Sequence, residues 1–364
     1  MFSENQKISI RQTRRLLILD LFGVSSLLLP RIMAKTAGID GIFCMIAAAL
    51  LVIIYICVME IFLRQMETDY YTYSKKILGG FGSDILMLFY LFFFLLLAAF
   101  VLFQLIGIVK NWLLPRESYH NIAFLLLLLA GYGTMRGIEG RARIYEIIFW
   151  FLGIPLLVML FLAVKDVNTA YWSPIANISL QKFSSGIFEA GIFYLPISFL
   201  LFLKSNCNKP EKLGACAKRA VCLVTILNVI VYFILVGNFQ VKTTGILEYP
   251  IITLMSMVKL PGEFFERMEA LMTAVWFFSV FALMHTGIYY ATDILKRLFG
   301  EKKTNYGLWL ILILVFIAAE WFYIYPQAVQ VYSFYVKYIA MPVLVLIPVV
   351  LLMLNYFSRK RKKT

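Results

Sequence analysis

Ten apolar runs, most of them near the length of a membrane-crossing helix, divide almost the whole chain. They lie at about 12–35, 42–62, 84–110, 119–135, 145–165, 183–204, 218–240, 266–290, 305–324 and 333–357. A spanning helix needs about 20 predominantly apolar residues, so each run is an expected transmembrane helix. The runs are continuous, whereas the strands of a membrane β-barrel would be shorter and would alternate. Hydrophobic residues make up 62% of the sequence and charged residues 15%. Soluble domains hold roughly 45–50% apolar residues, and a chain of this length could not hide the excess from water. The expected fold is therefore an all-α membrane protein of ten transmembrane helices, in one permease-like domain covering residues 1–364.

Two of the ten runs are flawed. Span one carries Asp20 and the small-residue stretch Gly23-Val24-Ser25-Ser26 ahead of Pro30, and span six carries Glu189 beside Ala190-Gly191 ahead of Pro196. In a ten-helix chain, one and six are corresponding members of two five-helix halves. Interrupted spans at corresponding positions point to a substrate site near the bilayer midplane, built on a five-plus-five inverted repeat with helices 1 and 6 broken. A broken helix offers free N–H groups to a carboxylate and free carbonyls to an ammonium. Two of them side by side suit a zwitterion such as an amino acid. The bland alternative is that the Gly and Ser residues of span one only let helices pack closely.

Charge distribution gives the orientation. The chain carries 34 Lys and Arg and a net charge of +14. With the N-terminus inside, 24 of the 34 fall in inner segments, including three at 136–143 and the basic tail Arg359–Lys363. The positive-inside rule then places both termini in the cytoplasm. The tail reads as an anchor near anionic lipid, and no nucleic-acid partner is expected. Span one follows basic residues but has no small-residue cleavage site after it, so it reads as a permanent helix. None of Cys44, Cys57, Cys207, Cys216 and Cys222 falls in an outer loop, which excludes a disulfide framework. Two connections, about 64–82 and 242–266, are long enough for short interfacial helices on opposite sides of the membrane.

Ionisable residues inside spans are costly and mark function by default. Glu189 is either a pocket carboxylate holding an ammonium, a proton or a cation, or a hydrated group near the outer interface paired with Lys182. Asp20 is expected to pair with Arg14 or Arg15. Glu263, Glu266, Arg267 and Glu269 open span eight, where acidic residues complement a helix dipole. His285 is expected to be a helix–helix hydrogen bonder, Asp293 to be structural beside Lys296 and Arg297, and Glu320 to pair with Lys337. No phosphate loop, metal-ligand cluster or nucleophile triad occurs, so no enzyme activity, cofactor or metal is expected. A Na⁺ site would want neighbouring Ser/Thr hydroxyls on span eight, and Thr273, Ser279 and Thr286 are poorly spaced for one.

The segment Gly23-x-Ser25-Ser26-Leu27-Leu28-Leu29-Pro30-Arg31, followed by Asp40-Gly41, resembles the first span of the spore germination permeases, the B subunits of germinant receptors. Tyr249-Pro250-Ile251-Ile252-Thr253-Leu254, then Gly262-x-x-x-Glu266-Arg267-Met268-Glu269 and Trp276, is similar to that family's seventh loop and eighth span. The resemblance extends over the whole chain in length, span count and basic C-terminus. It implies kinship with the amino acid–polyamine–organocation transporters, a pocket between spans one, three, six and eight, and a small germinant, usually an amino acid. It also implies partner subunits, a membrane-anchored A subunit and a lipoprotein C subunit, in the spore inner membrane. The candidate ligand-binding residues are Gly23, Val24, Ser25, Ser26, Phe188, Glu189, Ala190, Gly191 and Trp276. One departure is Ser25, where the family often has the second glycine of Gly-x-Gly. The alternatives are a proton-coupled amino-acid permease and a triggered water or ion channel, because one fold serves all three.

Overall fold

The computed structural model describes residues 6–257, 268–299 and 304–361. Helix α1, Ile10–Thr36, starts at a reciprocal cap: the Ser9 hydroxyl accepts the Gln12 N–H, and the Gln12 side chain accepts the Ser9 N–H. At 1.5 Å per residue its 27 residues reach about 40 Å, enough to cross a hydrocarbon core of about 30 Å. α1 runs unbroken through Gly23–Ser26 and Pro30, which corrects the expected break in span one. The Ser25 and Ser26 hydroxyls donate back to the Phe22 and Gly23 carbonyls, both at 3.2 Å, and the helix continues around them. It is wrapped by protein: 78% of its apolar stretch is buried, against 33% in α2, α5 and α11. Polar residues are tolerable there because lipid is not their neighbour.

The other helices are α2 (Gly41–Gln65), α3 (Tyr70–Ile108), α4 (Tyr119–Met135), α5 (Gly137–Ala163), α6 (Leu180–Ile192), α7 (Leu200–Leu203), α8 (Leu213–Ile246), α9 (Pro250–Met257), α10 (Met268–Phe299), α11 (Thr304–Ile324), α12 (Gln327–Tyr335) and α13 (Met341–Arg361). No strand occurs among the described residues beyond an isolated bridge between Ile8 and Cys207. Among the described residues, seven helical segments are long and apolar enough to cross a membrane, and the α6–α7 pair makes an eighth. α4 is apolar but only 17 residues long, and α10 carries the eighth apolar run. Outward rows such as Leu50, Ile54 and Ile61 on α2, and Ile147, Ile154 and Phe161 on α5, stay exposed. Water would not tolerate apolar bands of that extent, whereas lipid does.

Span six does bend. Leu180–Ile192 and Leu195–Asn206 meet at 42°, with the turn at Phe193-Tyr194 and Pro196 opening the second piece. Proline has no N–H to continue the ladder, so the chain re-enters as a 3₁₀ turn over Leu195–Phe199. Two further kinks carry positive φ. Gly79 (φ 78°, ψ 179°) separates the first turns of α3 from its long span, and Gln240 (φ 65°, ψ 162°) does the same near the end of α8. The connection expected to lie on the membrane surface after span seven instead holds α9 buried, with Pro250, Ile251, Ile252, Leu254 and Met255 inside the protein. A π turn, Val336–Ala340, joins α12 to α13.

Asp40 and Gly41 fix the corner between α1 and α2. The Asp40 carboxylate accepts the backbone N–H groups of Ala176 (2.6 Å) and Asn177 (2.9 Å), which ties the α5–α6 connection to this corner. A Cβ on Gly41 would meet that of Met33 at 2.7 Å, so the turn closes only with glycine.

Candidate functional site

The middle of α1, the bend after α6, and faces of α3, α10 and α12 enclose a cavity of about 400 Å³. That is a typical size for a small-ligand site. Val24, Ser25 and Leu28 line it from α1, Phe93, Leu97 and Phe100 from α3, and Leu195 and Pro196 from the piece beyond the bend. Most of the wall is apolar, and the charge sits at two ends.

At one end Glu189 is ion-paired to Lys337, and both line the cavity. Glu189 stands on the last turn of α6 before the bend, and Lys337 stands on the π turn after α12. Their side chains keep 19% and 26% of their exposure, so the pair is accessible rather than sealed. π turns are often found at functional sites. Lys337 was expected on Glu320, and Glu189 was expected either in the pocket or at the outer interface with Lys182. Instead Glu320 pairs with His120 at 3.0 Å, and Lys337 crosses to α6.

At the other end lies Asp20, 3% exposed. Its partners are Arg141 of α5 at 3.2 Å and the Thr286 hydroxyl of α10, which donates at 2.6 Å. Arg141 is 1% exposed and lies among the rings of Tyr145, Tyr289 and Tyr290, at 5.1, 5.7 and 5.8 Å. The expected partners Arg14 and Arg15 are not used: Arg15 pairs with Glu146. Sequence reasoning missed Arg141 because it counted the residue as a loop charge. α5 begins at Gly137, eight residues before the expected start of span five, and takes Arg141 inside. The nearby signal was Tyr145, one helical turn on and over the same face. Tyr145 donates to the Ala282 carbonyl at 3.0 Å and shares a 2.8 Å hydrogen bond with His285 Nδ1, which joins α5 to α10. Asp293 accepts from Arg297, and Arg297 also holds Asp69, both at 2.9 Å, pinning the start of α3 to the end of α10.

The candidate residues divide into three groups. Val24, Ser25 and Glu189 line the cavity. Gly23, Ser26 and Trp276 do not; they join α1 to α10. A Cβ on Gly23 would lie 2.7 Å from the Ser279 carbonyl oxygen, and the buried Trp276 indole donates to the Ser26 hydroxyl at 2.9 Å. Close packing is thus the use of Gly23. Ser25 is held by a third helix, since Asn228 of α8 donates to its hydroxyl at 2.9 Å; nothing local in the sequence flagged Asn228. Phe188 and Gly191 face away, into a separate apolar recess of about 290 Å³ bounded by Leu51 and Tyr55 of α2 and Leu344 of α13. Ala190 is fully buried beside them. Glu263, Glu266 and Arg267, expected to open span eight, lie outside the described residues.

Comparison with known proteins agrees with this architecture. In solved structures the chain matches a Na⁺-coupled sialic acid symporter in a substrate-bound outward-open state, with a TM-score of 0.65 at 13% identity, over 85% of this chain and 73% of that one. At that identity the likeness is one of fold. By sequence, the chain is 24% identical to spore germination protein A2 of Bacillus subtilis (strain 168), covering 93% of each chain. It is 23% identical to spore germination protein YndE of the same organism, over 84% of this chain and 85% of the relative. Spore germination protein B2 matches at 21%, over 99% of this chain and 98% of the relative. The profile of the family described as spore germination protein matches residues 7–330. The chain is a multi-pass membrane protein with a transporter fold, and it belongs to the spore germination protein family.

Proposed function

We propose that this chain is the membrane subunit of a spore germinant receptor, and that its cavity takes up a small germinant, an amino acid. The observation that carries the reading is the cavity itself, which the middle of α1 and the bend of span six line together, with an ion pair at each end. The ligand would sit against Val24, Ser25 and Glu189. Its occupancy would be passed to a membrane-anchored A subunit and a lipoprotein C subunit in the spore inner membrane. In this reading the ten apolar runs are ten spans in two inverted halves, with both termini cytoplasmic. Kinks with positive φ between the second and third runs, at Gly79, and at the end of the seventh, at Gln240, support that pairing of halves.

Ser25→Leu tests the site. Ser25 is 2% exposed and borders the cavity, so a leucine there fills space that a ligand needs. Spores carrying the variant at matched membrane level should lose their response to the amino acid that triggers the parent. A dose–response midpoint within about twofold of the parent, a change of only about 0.4 kcal/mol, places the germinant elsewhere.

A further inference from the structure

The continuous α1 changes which groups can receive a carboxylate. In an unbroken helix the N–H groups of Val24, Ser25 and Ser26 are committed to carbonyls one turn earlier, so span one offers no row of free donors. The hydroxyls of Ser25 and Ser26 are committed as well, to Phe22 and Gly23. A carboxylate in this cavity must find a cation. Arg141 is buried and bound to Asp20 behind Thr286. Lys35 stands at the exposed rim, where a charge pair gains little over water. Lys337 remains, on a π turn, facing the cavity and already opposed by Glu189.

We infer that Glu189 and Lys337 together form a head-group receptor for a zwitterion, and that the wall selects an amino acid with an apolar side chain. The inference rests on the proposed function and deepens it. When the pair opens around a ligand, the ammonium goes to Glu189 and the carboxylate to Lys337. Two ion pairs replace one, and no charge is left alone. A ligand with one charge would strand either the acid or the amine in a half-buried site walled largely by hydrocarbon, which is costly. Beyond the head group most of the wall is hydrocarbon, with Leu28, Leu97, Phe100, Val101 and Leu283; among the polar groups that also line it, alongside Tyr332 and Ser333, Asp20 is held by Arg141 and Thr286 and Ser25 by Phe22 and Asn228.

The test uses the full-length chain in lipid nanodiscs and four probes: L-leucine, L-leucinamide, 4-methylpentanoate and L-asparagine. The amide lacks the carboxylate, the acid lacks the ammonium, and asparagine has a polar side chain. Leucine should bind at least tenfold more tightly than each of the others. Lys337→Met should weaken leucine ten- to a hundredfold (about 1.4–2.8 kcal/mol) and tighten leucinamide. Glu189→Gln should favour 4-methylpentanoate in the same way. The exchanged pair, Glu189→Lys with Lys337→Glu, should recover leucine. A pair that only ties α6 to the π turn would change all four probes alike, and that result overturns the inference. Failure of leucine to bind the parent chain overturns it as well. Either failure leaves the cavity reading standing if Ser25→Leu still abolishes germination, and that reading falls separately if it does not.

Discussion

Asp20 and Arg141 are both buried, at 3% and 1% exposure, so neither can lose its partner cheaply. Removing one member of a buried ion pair costs about 3–5 kcal/mol, while replacing both with apolar groups is often neutral. Arg141→Met should therefore lower the thermal unfolding midpoint of the detergent-solubilised protein sharply. The double variant Asp20→Leu with Arg141→Met should recover most of the loss. Equal midpoints for parent and Arg141→Met would show that Asp20 has another partner. The acid was visible in the sequence as a charge inside span one, and its partner was not. Hydropathy treats an arginine at the end of an apolar run as loop, and only the packing of α5 against α1 and α10 shows that Arg141 is inside.

At the scale of elements, hydropathy marked the apolar runs and did not show what happens within them. Span six bends because Pro196 and the turn at Phe193-Tyr194 leave no continuous ladder, and that signal is local. Span one carries equally permissive residues and stays helical. Its reasons are distant: Asn228 of α8 holds Ser25, Trp276 of α10 holds Ser26, and Ser279 of α10 packs on Gly23. A break depends on whether such partners exist, and one segment's sequence cannot say. The two positive-φ kinks allow a paired test. Gly79 has open space where a Cβ would go, so Gly79→Ala probes backbone conformation alone. It should destabilise by about 1–3 kcal/mol. Gln240 occupies the same kind of conformation with a side chain, and Gln240→Gly should stabilise by a similar, smaller amount. Thermal unfolding of both variants should move in opposite directions; movement in the same direction would remove the kinks as matched features.

For the whole molecule, the proposed orientation can be read by labelling in a cysteine-free background. A cysteine at Thr243, exposed near the end of α8, should react with an impermeant thiol reagent from outside. One at Asn208, exposed between α7 and α8, should react only after the membrane is opened. The reverse pattern would turn the topology over and remove the inverted-repeat argument with it. The cavity was half legible in this frame. Segments one and six do meet around it, and Glu189 faces it. Span three entered only through the family resemblance, and Lys337 was expected on Glu320; the particular wall of α3 and the crossing of Lys337 to Glu189 came from the assembled bundle, because those runs carry no local flaw to mark them.

The most direct test of the central claim is protection of the cavity by the germinant. Ser333 lines the cavity one helical turn before Lys337, and a cysteine there reports whether the space is filled. In proteoliposomes of an otherwise cysteine-free chain, the reaction of Ser333→Cys with a small thiol reagent should slow at least about tenfold (1.4 kcal/mol) when the triggering amino acid is saturating. A cysteine at Thr243 should react at an unchanged rate. Equal rates at Ser333→Cys with and without the amino acid, under conditions where spores respond to it, would contradict the assignment of this cavity as the germinant site.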